Sequence, residues 1–157
     1  MRNVQRQAST WKKMMGNGSV IMYSQTSILE KEIRQVKAEG FEVVRFDCAE
    51  WDEEAFHKEA AKALGFPAYY GENLNAFKDC LSDLEPKHTG ILLVFNGFDK
   101  FLAQYHEVAV SILDIIHWNS WEFLLEGKAL LSFIQSNDPE IEIRPIGGMS
   151  PQWNGEE

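Results

Sequence analysis

A short apolar run near the middle of the chain constrains the fold more than any other feature. Residues 91–95 read Ile-Leu-Leu-Val-Phe and are bounded by turn-forming residues on both sides. A run of this length without alternating polar residues is typical of a strand that is covered on both faces, as in a parallel sheet. Such a strand needs a layer of helices on each side, which favours an α/β architecture.

Helical and strand-like patterns alternate on both sides of this run. Ser27 and Glu30 have the spacing of a capping box at the start of the first helix. Trp118 and Trp121 follow the longest helical stripe and are expected to cover one end of the core. The strand-like segments are 20–23, 41–46 and 129–135 with a possible edge at 141–145, and the helical segments are 27–40, 55–64 and 98–116.

These patterns together predict a single α/β domain over residues 1–157, with a small parallel sheet of about four strands flanked by helices. Residues 1–17 are polar and are expected to be irregular. Residues 18–40 are expected to form a strand and a helix added at one edge of the sheet, and residues 147–157 to form a loose tail.

Charge and cysteine content narrow the functional class. The 157 residues carry a formal net charge of −9, which disfavours direct contact with nucleic acid or anionic membranes and suits a basic protein partner. The two cysteines, Cys48 and Cys80, are too few for a disulfide framework and are expected to be reduced. No apolar run is long enough to span a bilayer, and the N-terminus lacks the pattern of a signal peptide, which predicts a cytoplasmic protein.

The segment 66–81 carries the most specific pattern, with two adjacent tyrosines, a glycine and an asparagine before a helix. Asn73 is a good N-cap residue for that helix. Its buried stripe is predicted to contain Leu74, Phe77, Leu81 and Leu84, spaced three and four apart. The opposite face carries Asn75, Asp79, Ser82 and Asp83, with Lys78 at its edge, and spacing alone fits either a solvated surface or a binding face.

This segment resembles the signature of the barstar family, the small intracellular inhibitors of barnase-type ribonucleases. In that family a Pro-x-Tyr-Tyr-Gly-x-Asn loop leads into the inhibitory helix. With the order of the flanking elements, the resemblance covers a barstar-like core at residues 41–136. The matching residues are Pro67, Tyr69, Tyr70, Gly71, Glu72, Asn73, Leu74, Ala76, Asp79, Cys80 and Leu81.

The resemblance implies an inhibitory surface formed by the loop 69–73 and the exposed face of the following helix. Carboxylates on this helix would take the place of RNA phosphates in the nuclease active site, and Asp79 matches the dominant acidic contact. Tyr69 would pack against a catalytic histidine of the nuclease. The expected partner-binding residues are Tyr69, Gly71, Asn73, Asn75, Lys78, Asp79, Ser82 and Asp83.

Two residues depart from the family pattern. Asn75 stands where the family usually has a second acid, and Lys78 stands where it usually has a tryptophan. Both changes make the face less acidic, so we expect weak or no inhibition of barnase itself and a partner with a different charge pattern.

Other function classes fit less well or remain open. The sequence contains no phosphate-binding glycine loop, zinc-ligand spacing or nucleophile elbow, so we predict neither an enzyme nor a cofactor or metal site. A protein-binding or regulatory module with a partner that is not a ribonuclease remains the alternative, because the same helix face could serve it.

Overall fold

The computed structural model describes residues 10–16, 18–147 and 151–156. Within these residues, the structure contains six helices and five strands. The helices are α1 (Thr10–Met15), α2 (Thr26–Ala38), α3 (Glu53–Leu64), α4 (Leu74–Ser82), α5 (Phe98–Gln104) and α6 (His106–Leu125). The strands are β1 (Val20–Tyr23), β2 (Phe41–Asp47), β3 (Gly90–Asn96), β4 (Ala129–Gln135) and β5 (Gln152–Trp153).

The five strands form one parallel sheet in the order β2-β3-β4-β1-β5. The apolar run lies in β3, between β2 and β4, and its residues are buried. The first residue of this strand, Gly90, has to be a glycine, because a Cβ there would lie 2.2 Å from the carbonyl oxygen of Ala129 on β4. The predicted α/β fold with a parallel sheet flanked by helices is therefore confirmed, with one strand more than expected.

Helices cover the sheet on both faces and create two apolar clusters. On one face, α2 packs against β1, β2 and β4 through Leu29, Ile33 and Val36. On the other face, α3, α4, α5 and α6 contribute a larger cluster that includes Phe56, Phe77 and the buried side of α6. Helix α4 contributes Phe77 and Leu81 to this cluster and packs against α6.

Strand β1 lies between β4 and β5, and helix α2 packs on one face of the sheet. Strand β1 pairs with β4 from Val20 to Tyr23, so it covers an edge that β4 would otherwise expose. The predicted capping box does not form, because α2 begins at Thr26 and its N-cap Gln25 makes no side-chain capping bond. Glu30 instead pairs with Arg45 of β2 through two hydrogen bonds of 2.8 and 2.9 Å.

Two described segments near the chain ends form regular structure that the sequence did not indicate. The prediction that residues 1–17 are irregular is wrong for Thr10–Met15, which form α1. The start of this helix is stabilised because the backbone amides of Thr10 and Trp11 donate hydrogen bonds to the Glu39 carboxylate. The prediction of a loose tail is wrong for Gln152–Trp153, which pair with β1 as β5. Residues 1–9, Asn17, 148–150 and 157 lie outside the described residues.

Three further expectations for the C-terminal half are wrong. The stripe over 98–116 is not one helix, since Tyr105 has φ −131° and ψ 55° and separates α5 from α6. Residues 141–145 do not form a strand but pack Ile143 onto the core, while Arg144 pairs with Glu107 of α6. Trp118 and Trp121 do not cover the core and remain 43% and 63% exposed.

Candidate functional site

The loop 69–73 and helix α4 are joined by the predicted N-cap. Asn73 has an extended backbone, with φ −137°, and its Oδ1 accepts a hydrogen bond of 2.8 Å from the backbone amide of Ala76. This bond satisfies one of the amides that the first helical turn leaves unpaired. The cap therefore fixes the direction in which the chain enters α4.

The backbone just before the cap is tightly constrained. Glu72 has φ 53° and is the one non-glycine residue with positive φ among the residues that the structure describes. A left-handed conformation at a non-glycine residue costs about 1 kcal/mol. A Cβ at Gly71 would approach the Asn73 side-chain nitrogen to 3.2 Å, so the glycine leaves room for the capping side chain. Strain of this kind persists where the surrounding structure determines the loop conformation.

Tyr70 anchors the loop to the body of the protein. Its hydroxyl lies 2.5 Å from Nδ1 of His57, and Nε2 of the same ring lies 3.4 Å from the carboxylate of Glu53 on α3. Burial raises the pKa of the Tyr70 phenol, so the hydroxyl keeps its proton and can donate a hydrogen bond to the imidazole. The Tyr70 ring also packs on Phe66 at a centroid distance of 5.0 Å. Tyr70 therefore packs against the body of the protein and holds the loop in place.

Tyr69 points the other way. Its side chain is 82% exposed, the highest value among the large apolar side chains that are exposed. On α4, Asn75 and Asp79 are exposed and Asp83 is the exposed C-cap residue. The loop and the helix therefore present an aromatic ring and two carboxylates to solvent, while Phe77, Cys80 and Leu81 are buried beneath them.

Lys78 is not a free charge on this surface. Its ammonium nitrogen lies 3.9 Å from the ring centroid of Trp118 on α6. A cation at this distance from an indole face is attracted by the negative face of the ring. Sequence reasoning placed Lys78 at the edge of the α4 face, but the partner that orients it belongs to a different helix and was missed.

Ser82 lies at the boundary between α4 and α6. Its Oγ is 2.6 Å from Oδ1 of Asn119, a fully buried residue of α6, and 2.9 Å from the carbonyl oxygen of Lys78. The amide of Asn119 donates in turn to the carbonyl of Ile115 at 3.1 Å. The hydroxyl of Ser82 is thus engaged between the two helices, while Gly71, Asn73, Asn75, Asp79 and Asp83 face solvent.

Cys80 is buried on α4, and burial raises the pKa of its thiol, which disfavours the reactive thiolate. Within the described residues, no group of three or more side chains is placed to hold a metal ion. None of the helices in that part of the chain is both long and apolar enough to cross a membrane.

The match to known families covers this whole site. A family model described as Barstar (barnase inhibitor) matches residues 41–133, which is more than half of the chain. The chain belongs to the barstar family. No curated protein matches the sequence.

The barstar match also separates two parts of the structure. It begins at the first residue of β2 and ends within β4, so it contains the loop, α4 and α6. Helices α1 and α2 and strands β1 and β5 lie outside the matched range. The matched family is described as that of a barnase inhibitor.

Proposed function

We propose that this protein inhibits a barnase-like ribonuclease or a related toxin, as an intracellular immunity-type protein. The loop 69–73 and the exposed face of α4 enter the nuclease active site, where Asp79 takes the place of an RNA phosphate. The binding surface consists of Tyr69, Gly71, Asn73, Asn75, Lys78, Asp79 and Asp83, with Ser82 at its border with α6.

One observation carries the proposal. A strongly exposed Tyr69 and an exposed Asp79 stand on a loop and helix whose backbone is fixed by the Asn73 cap and by the Tyr70–His57 bond. A preorganised surface loses little conformational entropy when it binds, which favours affinity. A net charge of −9 also favours encounter with a small basic protein.

A second candidate function follows from the residues that make the face less acidic. Lys78 and Asn75 stand beside Asp79, and the Lys78 ammonium is held against Trp118 and remains part of the surface. A cleft lined with arginine and lysine disfavours that ammonium. The same face would then bind a protein that is not a ribonuclease, as a regulatory module.

The test is a pull-down from the lysate and culture medium of the source organism, with the native protein and the Asp79→Lys variant as baits. Glu140→Lys is the matched control, because it makes the same charge change at an exposed residue outside the site. We expect the native and control baits to capture a small basic nuclease that the Asp79→Lys bait does not. Capture of the same proteins by all three baits would refute the proposed site.

Ionic strength separates the two candidate functions. Charge-steered binding to a basic nuclease should weaken as salt rises, because the Debye length falls from about 10 Å at 0.1 M to about 3 Å at 1 M. Binding of a non-ribonuclease partner through apolar contacts should change little with salt.

A further inference from the structure

A cavity of about 160 Å³ lies at the edge of the sheet where β1 pairs with β5. We call it the edge cavity. Its wall is built by α1, β1, α2 and the segment that contains β5, with Met14, Ile21, Glu32 and Trp153 among the lining residues. In the described part of the chain, all residues that line it lie outside the range 41–133 that matches the barstar family model. The edge cavity therefore belongs to the elements that this chain adds to the matched core.

The edge cavity combines apolar walls with a buried carboxyl group. Met14, Ile21 and Trp153 supply the apolar walls, and the carboxyl group belongs to Glu32, which is 8% exposed. The Tyr23 hydroxyl donates a hydrogen bond to Glu32. A carboxylate can accept about four hydrogen bonds, so this bond leaves acceptor positions for a donor inside the cavity. Apolar walls with a few polar groups are typical of small-molecule sites.

The charges around Glu32 favour a cation in the edge cavity. Burial and the nearby Glu156 carboxylate raise the pKa of Glu32, so the folded protein favours a bound positive charge at this carboxyl group. The neighbouring Lys31 is engaged with Glu156, at 2.6 Å between its ammonium nitrogen and a carboxylate oxygen. A buried carboxylate is stabilised by a charged partner that donates hydrogen bonds to it. An ammonium group in the cavity would neutralise Glu32 as a proton does.

A positive charge lines the same cavity nearer to solvent. Lys13 of α1 is a lining residue and is exposed, whereas Glu32 is buried. A ligand that fits carries an ammonium group and an apolar body inside, and a carboxylate towards solvent. An apolar cavity of about 150 Å³ holds benzene, a molecule of six carbon atoms. The ammonium nitrogen, Cα and side chain of leucine are also six non-hydrogen atoms, which leaves its carboxylate at the exposed Lys13.

We infer that the edge cavity binds a free α-amino acid with a small apolar side chain, of the leucine type. Glu32 binds its ammonium group, Lys13 binds its carboxylate, and the apolar walls enclose its side chain. This inference goes beyond the proposed function and does not rest on it, because α2 and α4 pack on opposite faces of the sheet. The bound amino acid contacts α1 and the segment of β5 together, so it holds both of them on the body of the protein.

The test measures dissociation constants by isothermal titration calorimetry for leucine and for two analogues that each lack one charge. The first is 3-methylbutylamine, which is leucine without its carboxylate, and the second is 4-methylpentanoate, which is leucine without its ammonium group. We expect leucine to bind and each analogue to bind about tenfold more weakly or worse, because each loses one charged hydrogen-bonded contact. Hydrogen exchange should slow in α1 and β5 when leucine is added.

Variants assign each contact to its residue. Glu32→Gln should weaken leucine and the amine by about tenfold or more and leave 4-methylpentanoate unchanged. Lys13→Gln should weaken leucine and leave the amine unchanged, and its exposed position makes it independent of any effect of Glu32→Gln on folding. Lys12→Gln is the matched control for Lys13, because Lys12 is an exposed neighbour that does not line the cavity. Glu30→Gln is the control for Glu32, because Glu30 lies on the same helix and pairs with Arg45 instead. Both controls should bind leucine like the native protein.

Three results would overturn the inference. Absence of leucine binding to the native protein at millimolar concentrations would show that the cavity does not take an amino acid. An amine that binds as tightly as leucine would show that the ligand is a simple cation and that Lys13 takes no part. Leucine binding that survives both Glu32→Gln and Lys13→Gln would place the ligand elsewhere. Asp79→Lys should not alter leucine binding, so a failure of the proposed nuclease site and a failure of the edge cavity are separate results.

Discussion

Removal of the Tyr70 hydroxyl should destabilise the protein measurably, because this group connects the loop 69–73 to a buried histidine by a hydrogen bond. In Tyr70→Phe the ring keeps its contacts with Phe66 and His57, at centroid distances of 5.0 and 5.7 Å. What is lost is the 2.5 Å contact with Nδ1 of His57, whose side chain is almost fully buried.

The magnitude follows from the burial of the imidazole. A buried polar group that loses its partner costs about 1–3 kcal/mol. His57 is 1% exposed, so water does not replace the missing hydroxyl, and we expect a loss of about 2 kcal/mol in the free energy of unfolding. The neighbouring Tyr69→Phe is a matched control, because Tyr69 is 82% exposed and its hydroxyl stays hydrated. We expect Tyr69→Phe to change the free energy by less than about 0.5 kcal/mol.

Urea titration of the native protein and both variants gives these free energies. A double-mutant cycle with His57→Phe isolates the pair, and we expect a coupling energy of about 1 kcal/mol or more. If Tyr70→Phe costs no more than Tyr69→Phe, the hydrogen bond does not hold the loop and the argument for a preorganised surface fails.

Two further predictions concern the helix cap and a buried acid. Asn73→Ala removes the hydrogen bond to the Ala76 amide and should lower the free energy of unfolding, measured by urea titration, by about 1 kcal/mol. Asn73→Asp keeps the cap and should lower it much less. Equal losses in the two variants would exclude capping as the cause. Glu32 is buried and accepts a hydrogen bond from the Tyr23 hydroxyl. Burial raises the pKa of its carboxyl group above the ordinary value of 4.5, and the nearby Glu156 adds to this effect. The folded state thus binds the proton of the Glu32 carboxyl group more tightly than the unfolded state does. The stability that this protonation contributes is lost as the pH rises from about 4.5 through the raised pKa. The melting temperature of Glu32→Gln should therefore rise relative to that of the native protein as the pH rises across this range. A difference between the two melting temperatures that does not change with pH would contradict the account.

The sequence was sufficient for the parts of the fold that depend on local pattern. The unbroken run in β3 indicated a central parallel strand, and Asn73 marked the start of α4 at the residue where the structure has its N-cap. The helical segment predicted at 55–64 ends at Leu64 in the structure, and its C-cap Gly65 has φ 68°. Each of these features depends on residues that are close in the chain.

The predictions from sequence were wrong where contacts between residues distant in the chain determine the structure. Near the end of α6 the apolar residues are almost continuous, so periodicity does not distinguish the buried Phe123 from the exposed Trp121 and Leu125. The short strand β5 exists because β1 offers it a free edge, and its two residues carry no strand pattern of their own.

The candidate site shows the same division. The loop, the cap and the exposed acids could be read from one segment of sequence, and the structure places them on one surface. The contacts that support them could not be read in this way. His57 lies on α3, thirteen residues before Tyr70, and Trp118 is forty residues from Lys78, so only the folded arrangement brings them together.

The measurement that tests the central claim most directly is competition for the nuclease active site. The nuclease captured in an Asp79-dependent manner is titrated with this protein at increasing concentrations of a mononucleotide that occupies its phosphate-binding site. If α4 fills that site, the apparent dissociation constant of the protein should rise in proportion to the mononucleotide concentration once the nucleotide is near saturation. An apparent dissociation constant that does not change when the active site is saturated would contradict the account, because the protein would then bind elsewhere on the nuclease.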